Sequence, residues 1–271
     1  MRILLTNDDG ISSPGITLLA KALREAGHRV FTVAPDTDRS GSSHSILFLS
    51  GPLKLKEIEK DTFSCSGTPV DCVIIALLGG IPEIRISREN TEIDMEKAPV
   101  TSAASDFFKR SAEGSPLDLI LSGINAGANL GTDIIYSGTA AAARQGSLFG
   151  IPSVALSLVK SEIPWQWEST ISYIMENLRQ MMGYWKARSF INVNFPNIKE
   201  KPSCLVPVFP CIRYYNDRIV TYAAPDGDTY CFAKTGLTTS SGEDGSDWAE
   251  VLKNNAALSV VMSQPAAVTQ A

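Results

Sequence analysis

The sequence predicts an α/β protein, a mostly parallel sheet with helices on both faces, carrying a C-terminal β-hairpin arm. Two patterns predict it. Short β-type apolar runs alternate with segments of helical period through residues 1–200. Beyond Ser203 the texture changes to aromatic and β-branched runs separated by turn residues. The 271 residues are 44% hydrophobic and 20% charged, which suffices for one sizeable core with an appendage and excludes wholesale disorder. Residues 1–200 are therefore expected to form the core, and residues 201–271 a β-rich arm and closing segment engaged in oligomerisation.

Arg2-Ile3-Leu4-Leu5-Thr6 reads as a buried strand that runs into the turn Asn7-Asp8-Asp9-Gly10. A helix follows from Pro14 to Ala26, with Ile16, Leu19, Ala20 and Leu23 at helical spacing and Gly27 as its stop. Arg29 to Ala34 is a second strand, ended by Pro35, and a polar loop runs from Asp36 to Ser45. Thr68 caps a helix whose first position is Pro69 and which continues through Cys72 to Leu78. Residues 81–116, about a third of them charged, read as an insertion. Leu117 to Ser122 is a strand ending in Gly123-Ile124-Asn125. A helix from Gly138 to Phe149, a strand at Ser153–Leu158, an amphipathic helix at Trp165–Met182 and a strand at Phe190–Asn194 complete the alternation. In the arm, Arg213 to Tyr222 is expected to fold as a hairpin on the Asn216-Asp217 turn, with a further strand at Tyr230–Lys234, and the residues from Gln264 to fray.

Charge and composition remove several classes of function. Lys and Arg number 24 against 29 Asp and Glu, a net charge of −5, so nothing favours a nucleic-acid polymer or an anionic membrane surface. No apolar run is long enough to span a bilayer, and the first residues turn polar too early for a signal peptide, which makes the cytoplasm the expected location. The five cysteines (Cys65, Cys72, Cys204, Cys211, Cys231) are odd in number and form no C-x-x-C pair, which argues against a disulfide framework or a Cys-based zinc site, and with only His28 and His44 a multi-histidine site is ruled out. Any metal here must be held mainly by oxygen.

In an open parallel sheet, ligands bind beyond the carboxyl ends of the strands. Three loops there carry chemistry. Asp8 and Asp9 place two carboxylates a few ångströms apart, a repulsion that a cation or a proton relieves. Together with the Ser40 hydroxyl and the Asn125 amide carbonyl they make an oxygen set suited to Mg²⁺ or Mn²⁺. Ser40-Gly41-Ser42-Ser43 offers hydroxyls and peptide N–H groups to a phosphate, and Ser137-Gly138-Thr139 puts more of them at a helix N-terminus, where the dipole favours an anion. Each piece has a plainer use: Asn-Asp-Asp-Gly as a tight turn, the Ser-Gly run as a linker, Ser137 or Thr139 as a cap. Gly123, Gly127 and Gly131, with Asn125 and Asn129 between them, suit neither an ordinary helix nor a strand and suggest backbone shaped around a ligand. His44 is a weak acid candidate, and His28 belongs to a helix end.

Leu5-Thr6-Asn7-Asp8-Asp9-Gly10-Ile11 with Pro14-Gly15 resembles the opening signature of the SurE family, the stationary-phase survival-protein nucleotidases. Ala34-Pro35 with Arg39 to Ser45, Gly67 to Val73, and Ser122 to Asp133 through Tyr136-Ser137-Gly138-Thr139 resemble further blocks of that family, in order. The resemblance implies a Rossmann-like, metal-dependent phosphatase of nucleoside 5′- and 3′-monophosphates, with one divalent ion per subunit and the C-terminal arm exchanged in a homodimer or tetramer. It implies metal ligands at Asp8, Asp9, Ser40 and Asn125, and phosphate or substrate contacts at Gly41, Ser42, Ser43, Asn129, Ser137, Gly138 and Thr139. Segment 81–116 is longer than the family's usual link, and residues 246–262 match its closing helix and strand only loosely. Asp8 and Asp9 are the catalytic candidates, one orienting an in-line water or Asp8 itself attacking phosphorus. Competing readings are a phosphatase acting on short-chain polyphosphate and a nucleotide-binding or assembly protein without turnover. A haloacid-dehalogenase-type phosphatase wants Asp-x-Asp after the first strand, which Asp8-Asp9 does not supply.

Overall fold

The structure, a computed structural model, describes residues 1–86 and 116–265, so the reading of 81–116 as an insertion and the tail after Gln264 fall almost wholly outside the described residues. Strand β1 (Arg2–Thr6) leads to helix α1 (Pro14–Glu25) and back to β2 (Arg29–Pro35), which lies parallel to β1. Gly27, at φ +80°, ends α1 as the sequence predicts, and the N–H of His28 closes onto the Leu23 carbonyl. An edge hairpin follows, β3 (Leu55–Glu59) and β4 (Thr62–Cys65), with β4 parallel to β2. The sequence gives little sign of β3, because a charged, exposed edge strand has no apolar run. Helix α2 (Pro69–Ile75) starts on a reciprocal capping box, Thr68 accepting the Asp71 N–H while the Asp71 carboxylate accepts that of Thr68.

The chain then crosses to the other side of β1. Strand β5 (Leu119–Ala126) pairs parallel with β1, and the short α3 (Asp133–Tyr136), α4 (Gly138–Leu148), β6 (Ser153–Val159), α5 (Trp167–Gly183) and β7 (Ser189–Pro196) continue outward. β5 does not stop at Ser122. It carries Gly123 and Asn125 within the ladder, with a register shift between Ser122 and Asn125 and Gly123 at φ +131°, where a Cβ would sit 2.3 Å from the Leu156 carbonyl oxygen. The strands alternate faces. Ile3 and Leu5 join Ile16, Leu19 and Leu23 of α1 and Ile174 and Leu178 of α5 in one core, while Leu4, Phe31 and Ile120 meet Val73 of α2 and Ala142 of α4 in the other. Each such aliphatic side chain contributes about 1.5–3 kcal/mol by leaving water.

Past residue 200 come β8 (Leu205–Pro207), β9 (Arg213–Tyr215), β10 (Arg218–Ala223), β11 (Thr229–Lys234), β12 (Thr238–Ser240), α6 (Asp247–Leu252) and β13 (Ala256–Met262). β13 inserts between β7 and β8, antiparallel to the first and parallel to the second, giving a nine-stranded sheet ordered β3-β4-β2-β1-β5-β6-β7-β13-β8. The arm differs from its expected pairing. β9 does not fold onto β10 across Asn216-Asp217; β9 pairs with β12 and β10 with β11, so residues 213–240 form one long two-stranded arm with its tip at 224–228. The Asn-Asp turn signal is local, and the ladder instead closes at Pro225-Asp226-Gly227-Asp228, where Gly227 supplies φ +93°.

Candidate active site

Strand order reverses between β1 and β5, the switch point at which open α/β sheets leave a crevice. A cavity of about 290 Å³ lies there, lined among others by Asp8, Asp9, Ser40, Gly41, Asn125, Asn129 and Ser137. Seven of the residues singled out in the sequence thus share one space. Ser42, Ser43, Gly138 and Thr139 do not line it.

Asp8 is buried just beyond β1. The hydroxyl of Thr139 donates to its Oδ1 and the Thr139 N–H also reaches the carboxylate, so the N-terminus of α4 holds Asp8. Gly138 makes the approach possible, because a Cβ there would lie 2.9 Å from the Asp8 Cβ. Asp9 Oδ2 accepts the N–H of Ala126 at 3.2 Å, tying the pair to the end of β5. Burial pushes the Asp8 carboxyl above its ordinary range, and burial with the charge of Asp8 pushes Asp9 up to about 6. Asp38 adds to the repulsion at both.

Asn125 turns its amide NH₂ to the Gly127 carbonyl at 3.0 Å, so its carbonyl oxygen is the group it has to offer. Ser40 donates its hydroxyl to Asp38 Oδ1 at 2.6 Å and its N–H to the same oxygen at 2.8 Å, which fixes the hydroxyl's orientation. Among the described residues no group of three or more His, Cys, Asp and Glu side chains is placed to hold a metal. The donors gathered here are two carboxylates, a hydroxyl and an amide carbonyl, a hard-oxygen set that fits Mg²⁺ or Mn²⁺.

The phosphate-loop residues divide. Ser42 N–H bonds the Arg39 carbonyl, and Ser43 gives its N–H to the Tyr136 carbonyl and its hydroxyl to that of Ile135. With Ser40 on Asp38, Gly41 is the member of the run whose N–H has no partner among the described residues. The Ser42 hydroxyl is buried and unpartnered. Ser137 caps α4 by accepting the Ala140 N–H, and Thr139 is spent on Asp8. Asn129 is fixed from behind: Asn194 bonds both its N–H and its carbonyl, and its own NH₂ donates to Ser157 Oγ at 2.8 Å. His44 leans on Gln145 and stays off the cavity, with burial lowering its pKa; His28 meets the N-terminal amine instead.

The SurE family model, described as survival protein SurE, matches residues 3–91 and 83–210. The chain belongs to the SurE family. A protein of Stenotrophomonas maltophilia named 5′-nucleotidase SurE is 40% identical over 200 residues, and one of the same name from Xylella fastidiosa is 38% identical over 204. Both alignments cover 73% of this chain but only 64% and 65% of those relatives. The crystal structure of the SurE protein from Aquifex aeolicus superposes with a TM-score of 0.74 at 30% identity, covering 98% of this chain and 95% of that one. The family model's two segments overlap at 83–91, where this SurE chain carries its charged segment.

Four residues at or beside the cavity of this SurE chain were not among the expected site residues, although Asp133 and Tyr136 lie within a motif block of the sequence. Asp38 stands two residues before Ser40, the spacing of a side chain that bonds a nearby backbone N–H, and was open to notice. Asp133, Tyr136 and Tyr215 line the cavity, with the Tyr215 hydroxyl on Asp133 across 82 residues of sequence, a contact no local pattern announces.

Proposed function

We propose that this SurE chain is a divalent-metal-dependent phosphomonoesterase that hydrolyses nucleoside 5′- and 3′-monophosphates to nucleoside and phosphate. The observation that carries the reading is the buried Asp8–Asp9 pair facing a cavity at the switch point, with hydroxyl and amide oxygens on its other walls. The names of the relatives support the substrate class. Asp8, Asp9, Ser40 and Asn125 would hold one Mg²⁺ or Mn²⁺, which when bound supplies charge neutralisation for the phosphate and the leaving oxygen. Asp8, clamped by Thr139, is kept rigid as a ligand. Asp9, the more open of the two, orients the attacking water and takes its proton. The Gly41 N–H and the loop hydroxyls receive phosphate oxygens, and the ester oxygen leaves with a proton as the nucleoside alcohol.

The rest of the proposal concerns setting and assembly. Ile219, Tyr222, Tyr230, Phe232 and Leu237 of the arm are exposed, an apolar surface that a second copy would cover in an arm-exchanged dimer or tetramer. No helix among the described residues is long and apolar enough to cross a membrane, and the five cysteines are free thiols, which supports a cytoplasmic location. The test is phosphate release from a panel of nucleoside monophosphates with Mg²⁺, Mn²⁺ or EDTA, beside Asp8→Asn. Metal-dependent release, lost by at least about 10³-fold in a folded Asp8→Asn variant, is expected. No release with either metal from folded protein would leave nucleotide binding without turnover.

A further inference from the structure

We propose that Tyr136 and Tyr215 form a nucleobase platform at the mouth of the cavity, which holds the base by stacking and reads little of its hydrogen-bonding edge. The inference rests on the nucleotidase reading and deepens it. Both rings line the same cavity as Asp8 and Asp9, yet they are 56% and 39% exposed. They meet edge to face, centroids 6.1 Å apart at 82°, so the pair presents ring surface in two planes. The cavity, at about 290 Å³, lies at the small end of ligand pockets. With the phosphate held at Asp8 and Asp9, the base lies toward another part of the lining, and the two rings supply one.

The platform is built from two distant parts of the chain and fixed in place. Tyr136 closes α3, whereas Tyr215 belongs to the arm. Asp133 fixes Tyr215: its carboxylate accepts the Tyr215 hydroxyl, pairs with Arg213 Nε at 3.3 Å and receives the Leu130 N–H at 3.1 Å. Arg213 N–H adds a bond to Thr132 Oγ1 at 3.0 Å. These bonds engage the Asp133 carboxylate and the Tyr215 hydroxyl, which leaves the two ring surfaces as the main thing this wall offers a base, and every base has a face to stack on them.

The experiment measures kcat/KM for AMP, CMP and ribose 5-phosphate, together with calorimetric titration of AMP onto EDTA-treated protein. Wild type is compared with Tyr136→Leu, Tyr215→Leu and the Phe variant at each position. Each Leu variant is expected to lower the AMP to ribose 5-phosphate ratio of kcat/KM about tenfold or more, through KM rather than kcat, and to weaken AMP binding in step. The Phe variants, which keep the ring, are expected to restore the ratio, and wild type to treat AMP and CMP within about tenfold of each other. An unchanged ratio in the Leu variants, or parallel losses on AMP and ribose 5-phosphate, overturns the platform and leaves the nucleotidase reading standing. If wild type hydrolyses none of the three, the nucleotidase reading fails and the titration alone decides: weaker AMP binding in the Leu variants upholds the platform, and unchanged binding overturns it.

Discussion

Replacing Gly138 with alanine puts a methyl group where none fits. The new Cβ would stand 2.9 Å from the Asp8 Cβ and 3.1 Å from both Asp8 Oδ2 and Ser42 Oγ, whereas carbon atoms rest at about 3.5–4.0 Å. Something must move by roughly 0.6–1 Å, and the Asp8 Cβ, attached to the end of β1, is no flexible tip. Glycine to alanine inside a helix ordinarily adds up to about 1 kcal/mol of stability. Overpacking costs about 1–3 kcal/mol, so the melting temperature is expected to change little or fall slightly. Activity is expected to suffer far more, because misplacing a reacting group by about 1 Å costs on the order of 10²-fold. Phosphate release and Mn²⁺ titration calorimetry, run beside thermal melts, separate the two effects. Gly183→Ala serves as the control, since nothing lies within 4 Å of its added Cβ. A folded Gly138→Ala variant with undiminished turnover and metal affinity would refute the idea that close approach of α4 sets the position of Asp8.

Three further outcomes follow from the geometry. Asp9 lies near 6 in the fold against about 4 in an open chain, so the metal-free protein should lose stability as pH rises from about 4 to about 6, by roughly 1–2 kcal/mol once partial exposure is allowed for. Added Mn²⁺ should restore it increasingly over the same window, and Asp9→Asn should flatten both trends in thermal melts. Asp247→Ala should cost about 3–5 kcal/mol in urea unfolding, because the buried carboxylate accepts the N–H groups of Gly131, Cys211 and Trp248; a loss below about 1 kcal/mol would deny it that role. Shortening the arm by removing residues 218–234 should lower the assembled mass seen by light scattering, and an unchanged mass would remove the arm from the interface.

Sequence reading picked out seven residues that line the cavity because they lie in local patterns. Asp8 and Asp9 follow an unmistakable buried strand, Ser40 and Gly41 follow the next, and Thr68-Pro69 announces a helix in four residues. Burial at a strand end and the Asp8–Asp9 repulsion are both consequences of order along the chain. What stayed hidden depends on contacts made across it. Thr139 looks like a phosphate-facing hydroxyl until α4 docks beside the end of β1 and turns it onto Asp8, 131 residues back in the chain. Tyr215 reads as one aromatic of an edge strand, and only the pairing of β9 with β12 brings it to Asp133. The Ser42 and Ser43 N–H groups, free in any reading of the loop, are taken up by Arg39 and Tyr136 once the loop closes.

The place of β13 sets the order in which this molecule can come into being. β8 is made before its ladder partner β13, which follows some fifty residues later. Until β13 is made β7 presents an open edge, and until Asp247 is made the Gly131 N–H lacks its partner and the loop that carries Asn125 and Asn129 its brace. A nascent chain halted between residues 216 and 255 holds all the lining residues of the cavity and a sheet that ends raw. At about 5–20 residues per second, that vulnerable interval lasts several seconds on each ribosome, during which the exposed β7 edge is open to other strands. The last strand made is the keystone of the sheet.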